Sequence, residues 1–558
     1  MALVKDEEQE RRLAHLRKQE EEDLAQILSS KYGLEYLDLS LIAINTDALR
    51  IIPEDRAHDA QIAAFGRIGK KLSVAVRSPE NQKTKIELQK LVELGYEVTA
   101  FMVSMESLER AWERYADLSY AKESKAGVFE ISSESVDELV GKVSTPRDVS
   151  SLITDAVTMK RAYRITRILE IVIAGSIASG ASDIHLEPEE KAVRLRFRLD
   201  GVLTDILEFD QETYRLLLSR IKLLSGLKLN IVNEAQDGRF SIKRSGGEIE
   251  IRTSVLPGAY AESAVMRILD PNSLSITLET MGLEPKLFAL VEAQISKPTG
   301  MILTTGPTGS GKTTMLYALM KRVNKPGIKI ITIEDPIEYH LDGIVQTQVD
   351  KKNYSFALGL RSVLRQDPDV IMVGEIRDDE VAETAIHAAL TGHLVFSTLH
   401  TNNAAGTFPR LVDLGVSEKI IGSAINIALA QRLVRRICEA CRKPVAATKE
   451  EFEIIKRIMD GVVDRSLVPQ ELGTVYQAVG CSVCGGVGYK GRIAIFEGIL
   501  MESKIEDILV NKPSERDIAE GARYQGIPSL QEDGIIKVLR GVTSIDELSR
   551  VVDLTKNN

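Results

Sequence analysis

Residues 306–313 read Gly-Pro-Thr-Gly-Ser-Gly-Lys-Thr and fill every fixed position of the pattern G-x-x-x-x-G-K-[ST]. Gly306, Gly309 and Gly311 let consecutive backbone N–H groups turn inward around a triphosphate, at places where a side chain would block the approach. Lys312 brings a point charge to the β- and γ-phosphates, and Thr313 a hydroxyl for Mg2+. The apolar run 301–305 before the loop predicts a buried strand, and 314–320 after it predicts a helix. Strand, glycine loop, helix is the order that sets phosphates at a helix N-terminus. The expected contacts are Gly306, Pro307, Thr308, Gly309, Ser310, Gly311, Lys312, Thr313 and Thr314.

A chain of 558 residues exceeds one core and implies about three to five domains. Charged residues at 27% and hydrophobic ones at 44% are an ordinary globular balance. The net charge of -10 argues against a protein whose main task is coating nucleic acid, so no direct nucleic-acid partner is expected. The N-terminus is charged from residue 5 onward, which does not fit a secretory signal. No run reaches the roughly 18 apolar residues of a membrane span. The expectation is a cytoplasmic chain that meets a membrane only through partners.

Along the chain, residues 1–28 predict a charged helix and 29–118 a small α/β domain. Residues 119–146, polar and poor in aromatics, predict a linker. Residues 147–270 combine helical spacing with alternating strands. Arg194, Arg196 and Arg198 share one strand face, and Asp200-Gly201 marks a hairpin turn. From 271 to 432, apolar runs alternate with helical stretches, the rhythm of a mainly parallel sheet in an α/β nucleotide-binding domain. The remaining segments are a cysteine-bearing stretch, 433–492, and a helical C-terminus, 493–558.

Hydrolysis needs a carboxylate to orient water, and strand C-terminal ends are where α/β sheets bind ligands. Glu334 ends the run 330–333, and Glu375 follows 370–373. Gly374 stands where an aspartate would usually hold the metal, which leaves Glu375 to orient water, with Glu334 helping through the metal's water shell. Glu338, Asp378 and Asp379 read equally well as helix-start carboxylates. His393 and His400 flank an apolar strand. The expectation gives His393 a γ-phosphate-sensing role and His400 a contact with a neighbour.

Taken together, residues 306–313, 333–338, 364–378 and 393–402 resemble the secretion ATPases, the motors of type II secretion and type IV pilus assembly, over about residues 34–552. The resemblance implies a RecA-like motor domain, a PAS-like α+β arm before it and an N-terminal docking domain. It implies ATP and Mg2+ as ligands, and a homohexamer working with an inner-membrane platform protein and a cytoplasmic docking partner. Pilus assembly is the leading reading; type II secretion, a DNA-uptake pilus motor and a non-hydrolysing adaptor are the alternatives. In such motors the arm donates arginines to the phosphates. Carried over, these are Arg220 and Arg239, with Arg194, Arg196 and Arg267 as weaker choices. Two segments depart from the family pattern: 230–235 before Gln236-Asp237-Gly238-Arg239, and Ala261-Glu262-Ser263.

Cys438, Cys441, Cys481 and Cys484 form two Cys-x-x-Cys knuckles, enough thiolates to close a tetrahedral Zn2+ site. Redox pairs are the competing idea, but neither knuckle follows the strand-to-helix entry of a redox motif. The resemblance supports zinc, since assembly-type motors carry a four-cysteine insertion that retraction-type motors lack. Residues 36–39 and 49–53 resemble the docking domain. The Arg-Leu-Gly segment by which some relatives bind cyclic di-GMP is not found, so that ligand is not expected.

Overall fold

The computed structural model describes residues 21–39, 44–68, 70–117, 133–143, 145–157, 161–244, 247–270, 276–350, 352–511 and 514–555. The expected charged helix lies outside them up to residue 20. Residues 21–32 are helical, so the helix runs through the boundary expected at 28. Glu22 accepts hydrogen bonds from Tyr36 Oη and, at 2.5 Å, from Ser104 Oγ, which ties that helix to the domain that follows.

That N-terminal unit is a four-stranded sheet of β1 (Glu35–Tyr36), β2 (Ile62–Ile68), β3 (Lys71–Val76) and β4 (Glu97–Met102), in the order β1-β4-β3-β2. Ile62, Val74, Val76, Leu108 and Trp112 build its core. Trp112 is buried without an unpaired donor because its Nε1 donates to Ile62 O at 3.0 Å. Helix Met105–Glu113 starts where Ser104 Oγ accepts from Ser107 N at 3.0 Å.

The remainder is built on two large sheets and one strand pair among the described residues. The arm sheet is antiparallel and contains β5 (Ala181–Pro188), β6 (Val193–Leu199), β7 (Val202–Phe209), β8 (Gln236–Arg244), β9 (Gly247–Leu256) and β10 (Ser263–Leu269). Their order is β7-β6-β5-β10-β9-β8. Strand β6 shows why it packs: Val193, Leu195 and Phe197 are fully buried, and the intervening arginines take the other face. Asp200 and Gly201 both have positive φ, 47° and 85°, as a two-residue hairpin with this twist requires. Of the expected linker, residues 119–132 lie outside the described residues. Residues 133–142 form a helix whose Val136 and Leu139, with Val143 after it, are buried in the arm core, since apolar spacing outweighs a polar composition there.

The motor sheet contains β11 (Gly300–Thr305), β12 (Ile330–Glu334), β13 (Val345–Gln348), β14 (Val370–Val373), β15 (Leu394–Leu399) and β16 (Ile425–Ile437), all parallel. Two further strands, β17 (Lys443–Ala446) and β18 (Thr474–Gln477), pair apart from it, and β19 (Tyr489–Leu500) closes it antiparallel to β16. The order is β13-β12-β14-β15-β11-β16-β19. Strands β11, β12, β14 and β15 are buried along their whole length, as parallel strands covered on both faces must be. The cysteine insertion is narrower than 433–492, because residues 433–437 and 489–492 are still ladder residues of β16 and β19. The C-terminal helices share the motor's core: Ile505, Ile518, Ile535 and Leu548 pack in one cluster with Val395 and Ile495.

Candidate active site

The phosphate loop leaves the C-terminal end of β11 and enters helix Lys312–Val323. Gly306, Gly309 and Gly311 have φ of 148°, 80° and 88°, where side chains are strained. Space is also closed at two of them. A Cβ on Gly306 would lie 2.5 Å from Ser310 Oγ and 2.6 Å from Gln431 O, and one on Gly311 would lie 2.7 Å from Gln431 Nε2. Pro307, Thr308 and Gly309 form an exposed crown above buried Gly306 and Ser310. Thr313 is exposed and Thr314 half-buried in the first helical turn. The Lys312 ammonium is buried and donates to Gly306 O at 2.7 Å and Pro307 O at 3.2 Å. Burial lowers its pKa; Glu375 opposes the shift and Arg432 adds to it, so all three charges belong to one region.

Both expected carboxylates sit at this edge of the sheet. Glu334 is buried at the end of β12 and accepts from Tyr317 Oη, Thr332 Oγ1 at 2.5 Å and Gln346 Nε2 at 3.0 Å. Burial first, then the Glu334 charge and hydrogen bond, push the Tyr317 phenol well above its usual range. Glu375 pairs with Arg377, and its other oxygen is 3.5 Å from His400 Nε2. Gly374 has a steric reason to lack a side chain: a Cβ there would meet Ile333 O at 3.2 Å and Glu334 Cα at 3.6 Å. A glycine-rich loop and two carboxylates on neighbouring strands are parts that phosphoryl transfer to water uses, alongside a metal ion and further positive charge.

The γ-phosphate role expected of His393 is not supported by its position. His393 precedes β15, and its backbone oxygen accepts from Gly300 N at 3.1 Å, at the start of β11. The phosphate loop follows the other end of β11, five residue steps or roughly 17 Å away. The His393 ring is instead occupied by Ala388 O at 3.1 Å. His400, after β15, stands beside Glu375 of the same chain.

Among the arm arginines, Arg194, Arg196 and Arg198 are paired with Glu189 and Asp205, Glu187, and Asp183. Arg267 also pairs with Asp183. Arg220 is half-buried in helix Gln211–Leu224. The Arg239 side chain is 73% exposed and its Nη1 lies 3.7 Å from Glu250 on its own sheet. In the divergent segments, Glu262 is buried against Lys222, which also donates to Ile231 O at 2.8 Å; these residues hold the arm together. Arg252 on β9 reaches the motor, where its Nη2 donates to Ile337 O at 2.6 Å. Alternation along β9 gave no sign of it. Gln431 and Arg432 were also missed, although a polar pair interrupts the apolar run 427–434 of β16.

The four cysteine sulfurs lie within 4.8 Å of one another. Cys438–Cys481 and Cys441–Cys484 are 3.9 Å apart and Cys481–Cys484 3.8 Å. A disulfide needs about 2.05 Å. Four thiolates around one ion at about 2.3 Å would be separated by about 3.8 Å, so the set fits a tetrahedral metal site. Backbone N–H groups of Cys481 and Gly488 donate to Cys484 Sγ at 3.1 and 3.2 Å, the support a bound thiolate uses.

Residues 159–550 match the family model described as type II/IV secretion system protein, and residues 32–121 match the MshEN domain. The chain is 36% identical to the type IV pilus assembly ATPase PilB of Myxococcus xanthus over 537 residues, 95% of this chain and 91% of that protein. It is 45% identical to the type II secretion system protein E of Pseudomonas aeruginosa over 388 residues, 69% of this chain and 75% of that one. Among solved structures, the Yersinia pseudotuberculosis ATPase DotB superposes on 72% of this chain and 95% of its own, with a TM-score of 0.51 at 20% identity, a likeness of fold. The chain belongs to the type II/IV secretion system family of ATPases.

Proposed function

We propose that this chain is the motor of type IV pilus assembly, a homohexamer that hydrolyses ATP on the cytoplasmic side of an inner-membrane platform protein. The carrying observation is the span of the match to a pilus assembly ATPase, which covers 95% of this chain and so takes in most of the N-terminal unit. No helix among the described residues is long and apolar enough to cross a membrane, which supports attachment through partners. Type II secretion is the second reading, favoured by the higher identity to a secretion protein over the arm and motor. Deleting the gene in its parent cell separates them. Loss of surface pili with normal export supports the first reading, and retained secreted enzymes inside the envelope with normal pili support the second.

In this reading the loop from Gly306 to Thr313 holds the ATP phosphates, with Lys312 as their cation and Thr314 just behind. Mg2+, held by Thr313, would neutralise charge on the β- and γ-oxygens. Glu375 orients the attacking water. It is supported in this by its influence on Lys312 and by having Arg377 and His400 as its partners. Glu334, whose carboxylate already accepts three hydrogen bonds, suits a role through the metal's water shell. Arg239 and Arg220 serve a neighbouring subunit's phosphates, a role that the exposure of Arg239 supports. Zn2+ on the four cysteines is structural.

A further inference from the structure

Arg432 and Gln431 are the polar residues of β16 that stand against the root of the phosphate loop. The β11–β16 ladder runs in parallel to Thr305 opposite Ala430, so Arg432 lies beside Gly306 and Pro307. A Cβ on Gly306 would come within 3.0 Å of Arg432 Nη1. The guanidinium donates through Nη1 to Gln431 O at 3.2 Å and through Nη2 to Asn402 O at 2.7 Å. Both acceptors are neutral carbonyls, and no ion pair is formed by Arg432 among the described residues. Glu497 acts on it only at longer range.

A guanidinium cannot shed its proton to escape burial. Here it shares a region with a second cation, Lys312, which is itself held only by carbonyls. Two like charges packed beside an anion-binding loop repel each other until an anion lies near both. Gln431 adds an independent sign: it is 1% exposed, and neither its amide oxygen nor its nitrogen has a partner. Ser310 Oγ, in the loop itself, is also buried and unpartnered. Unsatisfied polar atoms gathered behind one loop mark a loop whose hydrogen bonding is completed in another state.

We infer that Arg432 is a positioning residue for the ATP phosphates, adding its charge to that of Lys312 and bracing the loop through Gln431 and Asn402. This rests on the nucleotide site proposed above. It also places one required cation in the same chain as the loop, apart from any supplied by a neighbour's arm.

The test compares full-length wild type with Arg432→Gln, Arg432→Lys and Lys312→Ala, measuring Mg-ATP affinity with a fluorescent analogue at low and high salt, alongside kcat and KM. Thermal melting checks folding. Arg432→Gln is expected to weaken ATP binding at least tenfold and to flatten its salt dependence. Arg432→Lys should recover most of the affinity and the salt dependence while kcat stays reduced. Equal loss in both variants with wild-type salt dependence would mean a packing role and overturn the inference, as would wild-type affinity in Arg432→Gln. Should Arg432→Gln fail to fold, the salt dependence of Arg432→Lys decides. Wild-type affinity in Lys312→Ala would remove the nucleotide site, and this inference with it.

Discussion

Arg252 of the arm and Ile337 of the motor are joined by a 2.6 Å hydrogen bond from Nη2 to the backbone oxygen. The same guanidinium stands 3.6 Å from the Glu338 carboxylate and donates through Nε to Glu250 at 2.8 Å. Glu250 in turn faces Arg239. A chain of charges therefore links Arg239, on the arm, to the segment that follows Glu334, at the site. Arg252→Ala should remove about 1.5–3 kcal/mol of arm–motor contact, the usual worth of a hydrogen bond to a charged group. The expected result is a severalfold lower kcat with little change in KM, and faster hydrogen exchange in residues 335–338. Unchanged exchange there would show that the contact carries no load.

Glu375→Gln should bind ATP and keep it unhydrolysed, since the amide fills the same space without accepting a proton or polarising water. Glu334→Gln should slow turnover less, because three donors already occupy that carboxylate. Single-turnover assays on both variants decide, and a more severe Glu334→Gln would exchange the two roles.

The phosphate loop was legible because its chemistry is local: eight consecutive residues carry the turn, the charge and the helix start. Glu334 and Glu375 were legible because parallel strands point their C-terminal ends one way. The same rule, applied to β15, favours His400 over His393, since only the residue after the strand can reach the ligand edge. Arg252 and Arg432 were not legible. Their roles depend on which strands become neighbours and on contacts across long sequence separations, such as 85 residues between Arg252 and Ile337. Composition misled at 133–142, where few apolar residues sufficed because their helical spacing puts them on one face.

Glu547 anchors the last helix to β16. It is 3% exposed and accepts from Arg435 Nε at 2.8 Å, Arg435 Nη2 at 2.7 Å and Arg550 Nη1 at 2.6 Å. Burial works to raise its pKa, but the Arg435 hydrogen bonds and charge, then Arg550, outweigh it and hold the carboxyl below its ordinary 4.5. A depressed folded-state pKa gives stability that is present above 4.5 and lost as pH falls through the folded value. Glu547→Gln should therefore cost about 1–3 kcal/mol at neutral pH. The gap in thermal midpoint from wild type should narrow below 4.5. A gap independent of pH would assign the loss to packing.

Zinc should co-purify at about one ion per chain, as a closed four-thiolate site takes. Cys438→Ser or Cys484→Ser should lose the metal and destabilise residues 438–488. The strand pair β17–β18 there buries little, with all four residues of β17 exposed, and such a module depends on its metal for folding energy. Elemental analysis and thermal melting with and without a chelator check this. Metal-free protein, purified under reducing conditions, with an unchanged melt would end the zinc assignment.

Turnover per chain should rise with protein concentration if subunits complete one another's sites. Within one chain the Arg239 guanidinium is largely exposed and lies 3.7 Å from Glu250, so its charge is available to a neighbour at little desolvation cost. Transition-state charge supplied in this way is worth several orders of magnitude in other phosphate-loop enzymes. Arg239→Ala should accordingly lower kcat far more than it weakens ATP binding. Mixing it with Lys312→Ala subunits should restore part of the activity, because one variant keeps an intact loop and the other an intact arginine. Sedimentation with ATP and Mg2+ should show a hexamer over the concentration range in which activity rises. A chain that stays monomeric at full, concentration-independent activity would refute the ring, and with it the role of Arg239 in a neighbour's site.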